Sequence, residues 1–246
     1  MPVHPPSSHS GHAATAGAVP AHLSARYDVA EVRVELPRGP VSLLTVRDTN
    51  ALVDAIDPAQ FAADERFPYW ADLWASAVGL AAWCESPGSL ARGEAVLELG
   101  CGLGLAGIAA SRAGALVTMT DFEEDALLFA RANALRNPGA GRPSFRLFDW
   151  RSGEAPARVQ TVIGADVAYE RRMLLPLLET IGRCLLPGGR AVLAEPGRSI
   201  GAAFFELAAE NGFTVRRHTR RVPWRGREQD VVIAELRGGE GGHDRA

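Results

Sequence analysis

The stretch Val96-Leu97-Glu98-Leu99-Gly100-Cys101-Gly102-Leu103-Gly104-Leu105 joins a short apolar run to a turn that contains three glycines. The apolar run predicts a buried β-strand, and the residues that follow, 106–113, predict a helix. Glycine permits positive φ angles and a close approach of the backbone to a ligand, and the first turn of a helix has N–H groups without helical partners. The stretch therefore predicts a binding site for a small molecule. An ordinary turn of an α/β protein is the alternative.

The spacing of the glycines differs from that of a dinucleotide-binding turn. They stand at positions 100, 102 and 104, with another at 107, whereas the dinucleotide pattern is G-x-G-x-x-G. Glu98, two residues before the first glycine, would repel a pyrophosphate. Its carboxylate would instead accept hydrogen bonds, directly or through water, from an ammonium group. The turn therefore favours a zwitterionic or cationic ligand.

The second predicted strand, 115–120, is followed by Asp121 and Phe122. An acidic residue about 20 positions after a glycine turn, at the end of the adjacent strand, is placed to bind the hydroxyls of a ribose. Asp121 is therefore the best single ligand residue in the chain. The same side chain could cap the helix that is predicted at 123–135.

The third predicted strand, 144–148, is followed by Asp149 and Trp150. The Asp149 carboxylate could accept a hydrogen bond from an exocyclic amine, and the Trp150 indole could cover a base ring. A plain turn with a buried tryptophan is the alternative.

Short apolar runs and helical patterns alternate from Glu94 onward, which is typical of a doubly wound α/β sheet. The fourth strand is predicted at 159–165 and the fifth at 190–195. The last two runs, 213–221 and 230–236, are joined by a link, 223–226, that is too short for a crossover helix. This link predicts an antiparallel hairpin at one edge of a parallel sheet. Before the sheet, two alternating runs at 31–36 and 41–46 predict another hairpin.

Four stretches resemble the S-adenosylmethionine-dependent methyltransferases of the seven-strand class. They are the glycine turn with Asp121, Pro68-Tyr69-Trp70-Ala71-Asp72-Leu73-Trp74, the D-x-x-Y sequence Asp166-Val167-Ala168-Tyr169, and Glu195-Pro196-Gly197-Arg198. The closer resemblance is to the protein-lysine methyltransferase group that includes the enzyme modifying the electron-transfer flavoprotein β-subunit, and it covers roughly residues 30 to 237. It implies a Rossmann-like seven-stranded mostly parallel sheet with one antiparallel edge strand, plus an N-terminal β-hairpin and helix.

The resemblance also implies roles for individual residues. Asp166 would accept a hydrogen bond from the target amine, and Tyr169 would orient that amine. The alternative is that Asp166 caps the following helix and Tyr169 is a packed aromatic residue. Glu195 and Arg198 would border the substrate entrance. S-adenosylmethionine would be bound by Trp70, Trp74, Glu98, Gly100, Gly102, Gly104, Asp121, Phe122, Asp149, Trp150 and Ala165.

The segment 68–74 contains two tryptophans, Trp70 and Trp74. A helix is predicted from about Trp70 to Trp83, which would place Trp70 and Trp74 on one helix face. Two indoles on one face usually pack in a core. The resemblance implies instead that one of them borders the methionine end of the cofactor, where its N–H could bind a carboxylate.

Composition argues against general nucleic-acid binding, a disulfide framework, a cysteine metal site and a membrane span. A net charge of -3 argues against general affinity for nucleic acid, and Cys84, Cys101 and Cys184 predict neither disulfides nor a metal site. No apolar run is long enough to span a membrane, so a cytoplasmic location is predicted, and a monomer is expected. All 26 basic residues are arginine, so the protein cannot methylate a lysine of its own or use one as a base.

The chain is predicted to have four parts. A disordered tail, 1–25, precedes the hairpin and helical lead-in, 26–92; a methyltransferase core, 93–237, is followed by a second disordered tail, 238–246. The final hairpin is rich in cations and could bind nucleic acid, dock an acidic protein or simply be solvated. These cations are Arg216, Arg217, Arg220, Arg221, Arg225 and Arg227, with His218 and Trp224 among them.

These observations predict an N-methyltransferase that uses S-adenosylmethionine and acts on a lysine side chain of a protein. A small-molecule N-methyltransferase is one alternative, because one fold can serve many acceptors. The other is a methyltransferase-like module that binds nucleic acid without turnover.

Overall fold

The computed structural model of the protein describes residues 18–56, 67–137 and 142–238. Within these ranges the strands are β1 (Val29–Val34), β2 (Val41–Val46), β3 (Ala95–Leu99), β4 (Leu116–Asp121), β5 (Ser144–Leu147), β6 (Val159–Ala165), β7 (Leu185–Glu195), β8 (Phe213–Trp224) and β9 (Arg227–Gly238). The α-helices are α1 (Ala21–Ser24), α2 (Thr49–Asp54), α3 (Ala75–Cys84), α4 (Leu105–Ala113), α5 (Glu124–Arg136), α6 (Leu174–Cys184) and α7 (Ser199–Glu210). Short 3-10 helices occur at Tyr69–Ala71, Trp150–Ser152 and Arg171–Met173.

Seven strands form one sheet in the order β5-β4-β3-β6-β7-β9-β8, and β1 and β2 form a separate hairpin. The strands from β5 to β7 in this order are mutually parallel, whereas β9 is antiparallel to both of its neighbours. The predicted Rossmann-like, mostly parallel sheet is therefore confirmed. The reversed strand β9 lies one place inside the edge, which β8 occupies.

The central strands are apolar on both faces because helices cover both faces. Val96 of β3 packs in one core with α3, α4 and α5, and Leu97 packs in a second core with α6 and α7. This double covering explains why the strand reads as a continuous apolar run. It also leaves the carboxyl ends of the parallel strands as the place where a ligand can approach.

The predicted helix over 70–83 is wrong in its first part. The 3-10 turn Tyr69–Ala71 is followed by extended backbone at Asp72 and Trp74, and α3 begins only at Ala75. Two carbonyl groups that a continuous helix would use are bound by side chains instead: Thr45 Oγ1 donates to Ala71 at 2.9 Å and Trp74 Nε1 donates to Tyr69 at 2.9 Å. Trp70 and Trp74 therefore do not share a helix face.

Three other segments differ from expectation. The final hairpin has a two-residue turn, Arg225-Gly226, with φ angles of 47° and 77°, because positive φ at both positions suits the twist of the long paired strands. β7 begins at Leu185, five positions before the predicted start at Arg190. Residues 21–24 of the predicted tail form α1, because Leu23 is fully buried against β2 and α5. Residues 1–17 and 239–246 lie outside the described residues.

Two asparagines, one on α5 and one just after its end, hold the free edge of β2. Asn133 Oδ1 accepts from the Leu44 N–H at 2.6 Å, and its Nδ2 donates to the carbonyls of Leu44 at 3.0 Å and Leu103 at 2.9 Å. One turn later, Asn137 makes the same pair of bonds with the N–H and carbonyl of Ser42, both at 3.0 Å. The amides thus replace a neighbouring strand, and Asn133 also anchors the glycine turn.

Replacement of Asn133 by alanine is expected to lower the free energy of unfolding by about 2–4 kcal/mol, because buried groups of Leu44 and Leu103 lose their partner. Urea denaturation measures this change. Leu135→Ala is the matched control on the same helix, since Leu135 is 88% exposed and its loss should cost less than about 0.5 kcal/mol. Equal losses in the two variants would contradict the bridging role of Asn133.

The described ranges contain neither a candidate membrane-spanning helix nor a cluster of metal ligands. No helix there is long and apolar enough to cross a membrane. Over the same residues, no group of three His, Cys, Asp or Glu side chains is arranged to hold a metal ion. Cys84, Cys101 and Cys184 are buried free thiols, and Cys101 fills core space beneath the glycine turn.

Candidate active site

A cleft lies at the carboxyl edge of the sheet, between the ends of β3, β4 and β6 and the segment 67–74. It contains about 740 Å³ of empty space, part of it open to solvent. The cleft brings together most of the predicted site residues, namely Trp70, Trp74, Glu98, Gly100, Gly102, Asp121, Phe122, Trp150, Ala165, Asp166 and Tyr169. Four predicted site residues are not part of its lining: Gly104, Asp149, Glu195 and Arg198.

The glycine turn forms the floor of the cleft. Gly100 has a φ of 64°, and a Cβ atom there would lie 2.9 Å from Val167 Cγ1 and 3.6 Å from the Trp150 ring. Gly102 has a φ of 49° and donates its N–H to Asp121 Oδ2 at 2.9 Å. Gly104 precedes α4 and faces Ala130 of α5, so its role is packing of the turn against that helix. Gly100 and Gly102 therefore keep side-chain atoms out of the cleft floor.

Glu98 is 2% exposed, yet it lines the cleft. Its Oε2 atom is buried and has no hydrogen-bond partner among the residues described. Burial raises the pKa of this carboxyl to about 8, although the nearby backbone N–H of Gly107, which forms no hydrogen bond with Oε2, opposes the shift. A buried acceptor without a partner is costly unless a ligand satisfies it. Trp150 Nε1 is likewise a buried donor without a partner among the described residues.

The pKa of Glu98 predicts a specific pH dependence of stability. The carboxyl ionises near 4.5 in an unfolded chain and near 8 in the folded protein, so between these values the folded state holds a proton that the unfolded state has lost. The free energy of unfolding must therefore fall as the pH rises through this window. From pH 6 to pH 8.5, the wild type is expected to lose about 2 kcal/mol more than Glu98→Gln.

Urea titrations at the two pH values measure this difference. Glu206→Gln is the control, because Glu206 is exposed on α7 and its replacement should leave the wild-type pH dependence unchanged. The assignment to Glu98 is wrong if Glu98→Gln shows the same decrease as the wild type.

Asp121 ends β4 and is 4% exposed in the cleft wall. Its two oxygens accept from the backbone N–H groups of Gly102 at 2.9 Å and Glu123 at 3.0 Å. Burial raises its pKa to about 6, against the effect of these hydrogen bonds. The side chain therefore holds the glycine turn against the start of α5 and still presents its carboxylate to the cleft.

Asp149 and Trp150 follow β5 closely, but only Trp150 lines the cleft. Trp150 is 3% exposed and lines the cleft, where its ring lies beside Gly100. The Asp149 carboxylate points instead to Arg151, accepting from its backbone N–H at 2.9 Å and from its Nε at 2.8 Å. Asp149 thus shapes the 3-10 turn and is not part of the cleft lining.

Asp166 follows β6 with a φ of 57°, an uncommon angle for a residue with a side chain. Its backbone N–H donates to Ala194 at 2.8 Å, which holds this conformation. One carboxylate oxygen binds Arg198 Nη1 at 2.5 Å, and the other accepts from Ser76 Oγ at 3.4 Å. Burial raises the pKa of Asp166, whereas Arg198 and Ser76 lower it.

Arg198 also lies 5.7 Å above the Trp74 ring, so its guanidinium is held between an indole and a carboxylate. Glu195, 7% exposed, does not face the cleft; its Oε2 accepts from the N–H groups of Gly197 at 2.8 Å and Arg198 at 2.9 Å. Glu195 therefore shapes the loop that carries Arg198. Ser76 was not predicted, because its position at the start of α3 carries no signal in the sequence.

Aromatic rings form the outer wall of the cleft. Tyr169 and Tyr69 meet edge to face at 5.2 Å, and Trp70 packs against Tyr27 at 5.9 Å and Phe129 at 5.4 Å. Burial raises the pKa of Tyr169, which keeps its hydroxyl protonated. Both predicted tryptophans reach the cleft, but the Trp74 N–H is used by the Tyr69 carbonyl.

The chain is similar in sequence to known methyltransferases. Ribosomal protein L11 methyltransferase of Xylella fastidiosa is 39% identical over 108 residues, which are 44% of this chain and 33% of that protein. The chain thus spans about a third of that relative's length. Protein N-lysine methyltransferase METTL21A of Mus musculus is 32% identical over 149 residues, covering 58% of this chain and 68% of the mouse protein.

A solved structure has the same fold. Magnesium protoporphyrin IX methyltransferase of Synechocystis, with bound S-adenosylmethionine, aligns with a TM-score of 0.53 at 21% identity, over 78% of this chain and 98% of that one. The profile of a family described as lysine methyltransferase matches residues 65–210. This match spans more than half of the chain and confirms the resemblance seen in the four sequence stretches. The protein belongs to the lysine methyltransferase family.

Proposed function

We propose that this protein methylates a lysine side chain of another protein, with S-adenosylmethionine as the methyl donor. The observation that carries the proposal is one cleft that holds two different polar sites. Glu98, whose buried Oε2 has no hydrogen-bond partner among the described residues, lines the cleft beside the glycine turn, and Asp166 lines it at the end of the neighbouring strand β6. A donor and an acceptor bound at these two sites would face each other.

The residues on the donor side fit S-adenosylmethionine. Glu98 would bind its ammonium group, the backbone at Gly100 and Gly102 would pass close beneath it, and Asp121 would bind the ribose hydroxyls. Phe122 and Trp150 would enclose the base. When bound, this cofactor supplies a methyl group on a positively charged sulfur.

The residues on the acceptor side fit an amine. A lysine ammonium, with a pKa of about 10.4 in water, is mostly protonated. It must lose a proton, be desolvated and be aligned before the lone pair of the neutral amine can accept the methyl group. Asp166 would accept a hydrogen bond from it, while Tyr169 and Tyr69 would exclude water. Alignment of this kind contributes several kcal/mol to catalysis.

Arg198 supports a cation site at Asp166. Its guanidinium makes the two contacts that an alkylammonium would make, one with a carboxylate and one with an aromatic face. The Arg198 side chain is 43% exposed, so it is free to turn toward solvent when a lysine enters. Arg198 would then border the substrate entrance.

The names of the relatives favour a protein acceptor over a small molecule. Protein N-lysine methyltransferase METTL21A and ribosomal protein L11 methyltransferase are both named for action on proteins. A cytoplasmic location and a monomeric state remain predictions from the sequence.

Methyl-labelled S-adenosylmethionine and a cell lysate depleted of the unlabelled cofactor provide the test. Label is expected on a protein band, and hydrolysis of that band should yield methyl-lysine. Because the chain contains no lysine, methyl-lysine cannot come from the enzyme itself. Label found only in small metabolites would refute a protein acceptor. Failure of the purified chain to bind S-adenosylmethionine in calorimetry would refute the enzyme altogether.

A further inference from the structure

The final hairpin extends past the rest of the sheet at the edge where the cleft opens. β7 ends at Glu195, which pairs with Val232 of β9, and Val232 pairs in turn with Thr219 of β8. Residues 220–231 therefore continue beyond the last residue of β7. We call this segment the hairpin arm.

Three contacts show that the arm runs alongside α3 to the mouth of the cleft. Arg220 Nη2 donates to Ser86 Oγ at 3.1 Å, just beyond the end of α3. A Cβ atom on Gly79, in the middle of α3, would lie 2.9 Å from Val231, so helix and arm are in close contact there. At the tip, Arg225 pairs with Asp72 at 3.5 Å, and Asp72 lines the cleft.

Strand alternation separates the charges of the hairpin between its two faces. The α3 side carries a group of arginines that we call the arginine face: Arg216, Arg220 and Arg227 on the strands, with Arg225 in the turn. The opposite side carries Arg217, which lies over Phe205 of α7, and the pair Arg221 and Asp230 at 3.2 Å. Glu228 is also on that opposite side, because it pairs with Pro223.

The acidic groups on the α3 side are already engaged. Glu235 binds Arg190 at 3.2 Å and Arg237 at 2.7 Å, and Asp72 binds Arg225. Arg216 and Arg227 are exposed. The α3 side is therefore cationic although the whole chain has a net charge of -3.

We propose that the arginine face docks a segment of the target protein that is rich in aspartate and glutamate, with the target lysine in the adjacent cleft. This inference rests on the proposed function and adds a charge pattern to its substrate. The cleft offers carboxylates to a cation, and the arginine face, of which Arg220, Arg225 and Arg227 lie on the arm, offers guanidinium groups to anions. A lysine near an acidic segment complements both. Charge complementarity of this kind selects partners and speeds their encounter.

Two features favour a protein over a nucleic acid on this face. The arm ends beside Asp72 at the mouth of a cleft that also contains Asp166, and these carboxylates would repel a phosphate backbone that continued into the cleft. Trp224 is half-buried against α3, which removes the aromatic surface on which unpaired bases stack.

A fluorescent peptide of about ten glutamates, titrated at low salt, is the probe. The variant Arg216→Glu with Arg227→Glu reverses two charges on the arginine face, and Arg217→Glu with Arg221→Glu reverses two on the opposite face. Both variants change the net charge equally, and thermal unfolding checks that both are folded. The first should weaken peptide binding at least about tenfold, and the second less than about threefold.

Equal weakening by the two variants, or no binding of the peptide to the wild type, would overturn the proposal. So would a single-stranded oligonucleotide that binds more tightly than the peptide and loses affinity in the arginine-face variant.

The two proposals fail in different ways. Selective loss of peptide binding in a protein that transfers no methyl group would sustain the docking face and reject the enzyme. Undiminished labelling of lysate proteins by the arginine-face variant would reject docking and sustain the enzyme.

Discussion

Replacement of Asp166 by asparagine is expected to slow methyl transfer at least about a hundredfold while leaving S-adenosylmethionine affinity within about threefold. Asparagine has the same shape and tolerates positive φ, so it can keep the backbone angle of 57° at this position. It lacks the negative charge that binds Arg198 and would bind the target ammonium. Initial rates of label incorporation into lysate proteins measure the loss, and calorimetry measures cofactor binding.

The control for this substitution is Asp48→Asn. Asp48 is exposed and caps α2 through hydrogen bonds to the N–H groups of Asn50 and Ala51, a role that asparagine fills equally well. Its replacement removes one negative charge that is not part of the cleft lining and should keep the wild-type rate. A wild-type rate in Asp166→Asn would exclude a role for the Asp166 charge. Parallel loss of cofactor affinity would reassign Asp166 to the donor side.

Replacement of Gly100 by alanine is expected to weaken S-adenosylmethionine binding at least about tenfold. The added methyl group would approach Val167 to 2.9 Å and stand between the turn and the Trp150 ring. The φ of 64° adds strain of about 1–2 kcal/mol for a residue with a side chain. Isothermal titration with the cofactor measures the affinity.

Gly153→Ala separates strain from crowding. Gly153 has a comparable φ of 75°, but a Cβ atom there would meet no other atom within 4 Å. Both variants should lose similar stability from backbone strain, whereas only Gly100→Ala should lose affinity. An undiminished affinity in Gly100→Ala would mean that the floor of the cleft is not where the cofactor binds.

The parts of the site that could be predicted lie within single strand-turn-helix units. Glu98, the three glycines and Asp121 follow from apolar runs that end at one edge of a parallel sheet, and β6 coincides with its predicted bounds, 159–165. Such features depend on neighbours only a few positions away. The exception is the lead-in, where side-chain bonds from Thr45 and Trp74 interrupt the helical pattern.

Contacts between distant segments could not be predicted. Ser76 reaches Asp166 across 90 positions, Asn133 holds Leu44 across 89, and Arg198 binds Asp166 across 32. The arginine face was visible only as a cluster of cations, because the sequence did not reveal which of them point toward α3. The register of β8 and β9, with the contacts to Ser86 and Asp72, divides them between two faces.

The sequence by itself determined the class of fold, the turn that forms the floor of the cleft and the family of the protein. These depend on the periodicity of apolar residues and on glycines at fixed spacing, which are local properties of the chain. Only the tertiary structure decided that Asp149 and Glu195 bind their own loops, and that Arg198 pairs with Asp166 over Trp74. The physical reason is that a charged side chain takes whichever partner packing brings within reach, and that choice is made by segments far apart in the chain.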